Sequence, residues 1–241
     1  MKVLCLGAGN AFAPGDLGWN GFLIDNHVLL DAPPDCLARL HRLGVEPSSI
    51  DTVLISHFHA DHFSGLPALM LHMSIRDRRS ARLTIVGPPG VEGRVEDLSV
   101  AMGIRKRDRG NAFERRYIEV EDGTRLDVAG FRVTAREMRH SPSLRAFGYR
   151  LSDGGRTLAY SGDTTLCPGL IELVNGADMA IVECSSSAAE DPAHMNLALM
   201  RELRASLGRT PRLLITHRDM QVSAEDIENA DVAGPGERYT V

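Results

Sequence analysis

The segment LISHFHADHFSGLP, Leu54 to Pro67, places three histidines and an aspartate within six positions, at His57, His59, Asp61 and His62. A hydrophobic core takes one such residue with a partner, but four together need something in common, because histidine and aspartate are costly to bury unpaired. A metal ion is that common partner. Side chains two apart in an extended chain share a face, so His57 and His59 can address one ion. Asp61 and His62 make a second half-site a few residues on, and SGLPALMLHM behind them reads as a helix starting at Ser64 or Gly65. The positive start of that helix is expected to keep His62 neutral, as a ligand must be. Two half-sites this close predict a dinuclear centre. His27, His41 and His72 lack acidic company and read as surface or packing residues.

Three further strands end on side chains of the same kind. His140 follows FRVTAREMRH, Asp163 follows RTLAYSGD, and His217 follows RLLITH. Sites in layered α/β folds gather at strand ends, which gives these three a place beside the cluster. Assigning His140 to the ion of His57 and His59, His217 to the ion of Asp61 and His62, and Asp163 to both closes the inventory.

The elements that must position these residues are legible from hydrophobic pattern. TVLIS, before the cluster, is apolar and β-branched without alternation, as a strand buried on both faces would be. Strands are expected at 3–6, 21–24, 28–30, 52–56, 116–120, 125–128, 131–137, 147–151, 157–161, 179–183 and 212–216. Helices are expected at 35–43, 66–75, 91–102, 168–175 and 195–207. EDGT and SDGGR carry hairpin signals. No linker or internal repeat divides the chain, so residues 1–241 read as one domain. Two mixed β-sheets packed face to face with helices outside, a four-layer αββα sandwich of the α/β class, would bury such strands on both sides.

Composition sets the frame. With 241 residues, 43% hydrophobic and 24% charged, the chain can build a full core. No segment approaches the roughly 18 apolar residues that span a bilayer, and MKVLCLGAGN runs directly into a strand, so a soluble protein without a cleaved leader is expected. Cys5, Cys36, Cys167 and Cys184 are scattered, which fits reduced thiols in a cytoplasm. A net charge of −5 gives no global attraction to nucleic acid.

At HFHADH the sequence resembles the metallo-β-lactamase fold superfamily, whose H-x-H-x-D-H signature it matches from His57 to His62. RHSP at His140, YSGDTT at Asp163 and ITHRD at His217 match the later landmarks. LGAGNAFAPG near the start, LTIVGPPG at Leu83 to Gly90, GDTT, and VEC at Val182 to Cys184 look most like the ribonuclease Z-like branch, which includes phosphodiesterases of RNA, cyclic nucleotides and small phosphonate-pathway esters. The tRNA-processing members carry a long arm after the GPPG region; here only Val91 to Tyr117 intervenes, so precursor tRNA is not the expected substrate. Asp163 stands where the main zinc β-lactamases have a cysteine, and His59 where the flavin-linked di-iron members have a glutamate.

The resemblance implies two divalent ions, Zn²⁺ first and Mn²⁺ or Fe²⁺ as alternatives, generating a hydroxide that attacks a small or single-stranded phosphodiester in line. Asp61 would aim the nucleophile. His194, in DPAHMNLALM, stands where relatives keep a catalytic histidine and would protonate the leaving oxygen, with Glu183 orienting it. A carboxylic ester, lactone or thioester hydrolase on the same site is the alternative, followed by a nucleic-acid-binding module with structural metals and by a β-lactamase. Homodimers are frequent in this branch. PGDLGWN, Pro14 to Asn20, rims the site in the superfamily, and Trp19 there reads equally as a stacking or a packing residue. The basic runs at 76–82 and 105–109 read as solvated faces rather than phosphate tracks.

Overall fold

The computed structural model describes residues 1–104, 113–188, 191–209, 211–225 and 227–241. Alternation within the strands explains the layering. In β1 (Lys2–Gly7) Val3 and Cys5 face a central core while Leu4 and Leu6 face a second one, and in β2 (Gly21–Ile24) Phe22 and Ile24 are set against Leu23 in the same way. Strands that bury both faces need partners on both, and the chain supplies a second sheet on one side and helices on the other.

The first sheet continues with β3 (Val28–Leu30), β4 (Thr52–Leu54), β5 (Leu83–Gly87) and β6 (Arg115–Glu119). The second is built from β7 (Arg125–Val128), β8 (Phe131–Met138), β9 (Ala146–Ser152), β10 (Thr157–Tyr160), β11 (Met179–Glu183), β12 (Arg212–Thr216) and β13 (Ala230–Val232), and β14 (Arg238–Thr240) returns to the first. The orders are β14-β1-β2-β3-β4-β5-β6 and β7-β8-β9-β10-β11-β12-β13. Read this way, both sheets run through three antiparallel pairs and then three parallel ones. The sequence carries no visible repeat, yet the halves share one pairing scheme.

Residues such as Phe22, Leu30, Leu54, Val133, Tyr149, Tyr160 and Leu214 fill the space between the sheets. The helices α1 (Cys36–Arg42), α3 (Leu66–Ile75) and α4 (Val91–Ala101) cover the outer face of the first sheet. Helices α5 (Pro168–Val174) and α6 (Leu197–Ser206) cover the second. This is the αββα sandwich expected from the sequence.

Three expectations are corrected. EDGT does not close a hairpin, because β6 and β7 on either side of it lie in different sheets; the turn is where the chain crosses between halves. SDGGR does join paired strands. A short helix, α2 (Ala60–Phe63), precedes α3, so Asp61 and His62 lie on a helical turn rather than in front of one. The strands β13 and β14 were not anticipated, since three-residue edge strands show no alternation to read. Among the described residues no helix is long and apolar enough to cross a membrane, and all four cysteines are free and buried.

Candidate active site

All seven expected ligand residues meet at the ends of β4, β8, β10 and β12 and on α2. His57 lies in the turn leaving β4, with its Nδ1 3.0 Å from Ser56 Oγ. That hydroxyl donates to Asp31 Oδ2 at 2.8 Å, so it accepts from His57, and the His57 Nε2 lone pair is left for the site. His140 donates Nδ1–H to the Ala193 carbonyl at 3.1 Å, which leaves its Nε2 free in the same way. Both Nε2 atoms face His59 Nδ1, at 3.0 and 3.1 Å. Burial lowers the pKa of all three imidazoles, that of His57 well below the ordinary value, so they are neutral at physiological pH.

A second group shares a carboxylate with the first. Asp163 Oδ2 lies 3.2 Å from His62 Nε2 and 3.3 Å from His217 Nε2, and also 3.8 Å from His57 Nε2 and 4.0 Å from His140 Nε2. Asp61 Oδ2 is 3.2 Å from His62 Nε2 and 3.4 Å from His217 Nε2. Burial pushes both carboxyls up, but the His62 and His217 rings more than offset it and hold Asp61 and Asp163 well below the usual carboxylate range. Gly162 allows this approach. Its φ is +58°, and a Cβ there would sit 2.6 Å from the Ser56 Cβ.

These groups fit metal ions. Nitrogen and oxygen ligands at about 2.0–2.1 Å from a tetrahedral ion stand about 3.3 Å apart, close to the spacings within each group. The donor atoms divide into His57, His59, His140 and Asp163, and Asp61, His62, Asp163 and His217. Asp163 Oδ1 is buried and makes no hydrogen bond, which in a protein interior calls for a partner of another kind.

The expected cause of His62 neutrality is overturned. His62 lies in the last turn of the short α2 rather than ahead of a helix, and its Nδ1 lies 2.8 Å from Asp31 Oδ2. Burial works against its charge, but Asp163 and Asp31 hold its pKa well above the ordinary value, so a metal held at Nε2 would have to displace a proton.

Asp31 is the residue that sequence reasoning missed. It is fully buried at the end of β3 with φ +58°, and it gathers the Ser56 amide at 2.7 Å, the Ser56 hydroxyl, His62 Nδ1 and the Tyr160 hydroxyl at 2.5 Å. Asn20 then joins Tyr160 to Thr216, the residue before His217. One carboxylate therefore fixes two ligand rings, and the network reaches the strand end that carries a third. The signal was available: VLLD ends a strand on an aspartate, as YSGD does. His217 itself has φ +48°, strain of the kind that persists where surrounding contacts impose it.

His194 lies before α6, whose N-cap is Asn196, and is not a surface residue: its side chain is 17% exposed and its ring centroid is 4.8 Å from that of His140. Glu183, at the end of β11, accepts from His194 Nδ1 at 2.8 Å, from the Thr164 amide at 2.8 Å and from the Ser185 amide at 3.2 Å. Burial pushes the Glu183 carboxyl up, but three N–H donors are what a carboxylate receives. Burial also opposes a charge on His194, and Glu183 overcomes it, raising His194 to about 9. A cavity of about 310 Å³ opens over Asp61, Asp163, His194 and His217.

Other expectations resolve locally. Trp19 is half-buried and donates Nε1–H to the Ala11 carbonyl at 2.9 Å, so it packs and braces its loop instead of facing the cavity. In the run 76–82, Arg79 is buried and bonds the Ser48, Ala81 and Arg82 carbonyls, a structural role. The run 105–109 lies outside the described residues. His72 is not without acidic company: its Nε2 is 3.1 Å from Asp77, five positions on and just past the end of α3.

The chain is similar to known proteins over most of its length. A family model described as the β-lactamase superfamily domain matches residues 26–218. An uncharacterized protein of Mycobacterium leprae is 28% identical over 246 aligned positions, covering 98% of this chain and 84% of its own. Ribonuclease Z of Geobacillus kaustophilus is 27% identical over 235, covering 76% of this chain and 74% of its own. The crystal structure of YhfI, a metallo-β-lactamase fold protein from Bacillus subtilis, superimposes with a TM-score of 0.78 at 21% identity, covering 99% of this chain and 98% of that one.

Proposed function

We propose that this chain, which belongs to the β-lactamase superfamily, is a dinuclear metal-dependent phosphodiesterase acting on small or single-stranded phosphodiesters. The observation that carries the reading is Asp163 Oδ2, within 4.0 Å of ligand nitrogens in both groups. His57, His59 and His140 would hold one ion, Asp61, His62 and His217 the other, and Asp163 both. Two divalent ions, Zn²⁺ by the His-rich donor set, would supply Lewis acidity toward substrate oxygens and lower the pKa of water.

The chain's own groups do the rest. Asp61, 13% exposed at the cavity floor, has carboxylate lone pairs with which to accept a hydrogen bond from an attacking water and aim it. His194 carries its second proton on Nε2, because Glu183 holds Nδ1, and Nε2–H donates to the leaving oxygen as the P–O bond breaks. Glu183 touches no substrate; it keeps His194 protonated and fixes the ring.

Ribonuclease Z similarity supports a phosphodiester. The short stretch from Val91 to Tyr117, where the tRNA-processing members carry an arm, supports small or single-stranded substrates over precursor tRNA. Kinetics on cyclic nucleotides, short oligonucleotides, precursor tRNA, lactones and thioesters test the reading, together with elemental analysis. Close to two ions per chain and turnover of the small phosphodiesters are expected. Turnover of lactones or thioesters alone would replace the substrate class, and one ion at saturation would remove the dinuclear assignment.

A further inference from the structure

Phe12 is 90% exposed, the most exposed of the large hydrophobic side chains among the described residues. It stands on the wall of the same cavity that His59, Asp61, Asp163, His194 and His217 line. A phenyl ring held in water at a catalytic mouth is an unmet contact, since burying such a ring is worth about 1.5–3 kcal/mol.

The loop around it is braced from both sides. Asn10 accepts the Phe12 amide on Oδ1 at 3.1 Å and donates its Nδ2 to the Ser185 carbonyl at 3.2 Å, two residues past Glu183. The Asn10 amide donates to the Arg218 carbonyl at 3.2 Å, next to His217, and Trp19 holds the Ala11 carbonyl. Phe12 is therefore positioned by the residues that flank Glu183 and His217, so its place relative to the site is set by the site's own strands. Met220, 61% exposed, lies 3.4 Å from where a Cβ on Gly15 would be, which puts a second apolar side chain against the same loop.

We propose that Phe12 is a specificity residue that stacks on a nucleobase of the substrate, so that the site prefers nucleoside phosphodiesters over esters without an aromatic group. This rests on the phosphodiesterase reading. The cavity floor offers groups for a phosphate, the wall offers one free aromatic face, and a nucleotide is the phosphate ester that presents both kinds of surface. Stacking of a base on an aromatic side chain is sequence-tolerant because every base has a π-face, so no particular base is implied.

The test is calorimetric binding of adenosine 5′-monophosphate and ribose 5-phosphate, which differ by the base alone, to the metal-loaded protein and to its Phe12→Ala, Phe12→Leu and Phe12→Trp variants. The wild type should bind the nucleotide more tightly. In Phe12→Ala the ratio of the two affinities should fall by about 5-fold to 150-fold, the range that base stacking supplies. Phe12→Trp should keep or raise the ratio, and Phe12→Leu, apolar but without a π-face, should stay close to alanine. A ratio unchanged in Phe12→Ala, restored fully by leucine, or near one in the wild type overturns the proposal. So does loss of a dimer in Phe12→Ala with the ratio intact, which would make the ring an interface residue. Binding needs no turnover, so a protein that discriminates the ligands through Phe12 yet hydrolyses no phosphodiester would overturn the proposed function and leave only the stacking role of Phe12 standing.

Discussion

The two halves of the molecule use one strand-pairing scheme in different ways. In the first sheet β3 stands fourth, where antiparallel pairing gives way to parallel, and β10 stands fourth in the second. Each is followed by an aspartate, Asp31 directly after β3 and Asp163 three residues after β10. The next strands in order are β4, which leads into His57, and β11, which ends on Glu183. The first half concentrates His57, His59, Asp61 and His62 into six positions beyond one strand. The second distributes His140, Asp163, Glu183, His194 and His217 over four strand ends and one loop. Equal positions in a fold thus carry unequal roles: Asp163 faces the ligand nitrogens, whereas Asp31 stands behind them, bonded to Ser56, His62 and Tyr160.

The largest expected effect tests the forward-facing aspartate. Asp163→Ala removes the one oxygen near both ligand groups, so bound metal should fall below two ions per chain and turnover should drop on the order of 10³-fold or more, since each ion contributes several kcal/mol. Elemental analysis alongside kinetics checks it. A variant with two ions and full turnover would mean that the halves each close their own site and that Asp163 bridges nothing.

His194→Ala comes next. Turnover should fall by roughly 10²–10⁴ with both metals retained, because a general acid contributes about that much. The loss should be large for nucleotide esters, whose alkoxide needs a proton, and small for bis(p-nitrophenyl) phosphate, whose phenolate leaves without one. An equal loss on both would make His194 a positioning residue, and the second half would then supply ligands but no acid.

Asp31→Asn tests the rear-facing aspartate. Asparagine keeps the volume and one carbonyl oxygen but weakens the hold on His62 Nδ1 and Ser56, and partners of metal ligands are commonly worth 10–100-fold in metal affinity. Competition with a chelator of known affinity reads this out. A loss as deep as that of Asp163→Ala would erase the distinction between the two aspartates.

The same contrast decides what was legible in the sequence. The layered fold and nearly all strands and helices could be read, because β1 to β5 and β8 to β12 are apolar runs flanked by turns. HFHADH could be read because its residues are neighbours in the chain. His140, Asp163 and His217 could be read only as strand endings, each ordinary alone and informative in company. Asp31 was equally a strand ending, but nothing near it in sequence marks it, and its importance lies in contacts to Ser56, His62 and Tyr160 at separations of 25, 31 and 129 residues. Trp19 is the single tryptophan and packs within its loop, whereas Phe12, an ordinary residue type, is the aromatic exposed at the cavity. The shared pairing scheme is invisible in the sequence because backbone pairing constrains pattern and not identity.

The smallest expected effect concerns the turn that joins the halves. Gly123 in EDGT has φ +76°, and the turn is closed by the Thr124 amide on the Glu121 carbonyl at 3.0 Å and the Glu121 amide on Thr124 Oγ1 at 2.9 Å. A Cβ at Gly123 would meet only Arg136 Nη1, at an ordinary 3.6 Å, so Gly123→Ala adds backbone strain and no clash. For a non-glycine residue in the left-handed region that strain is roughly 1–2 kcal/mol, which in a chain of this size lowers Tm by about 2–8 °C. Metal content and turnover should not change, since the two halves are held in register by the core between the sheets, by the Asp31–Tyr160–Asn20–Thr216 network and by the ligands themselves. Calorimetry with elemental analysis and kinetics decides between the outcomes. A Tm loss with the site intact assigns the turn to stability alone, whereas loss of either metal would show that this crossing sets how the halves meet at the site.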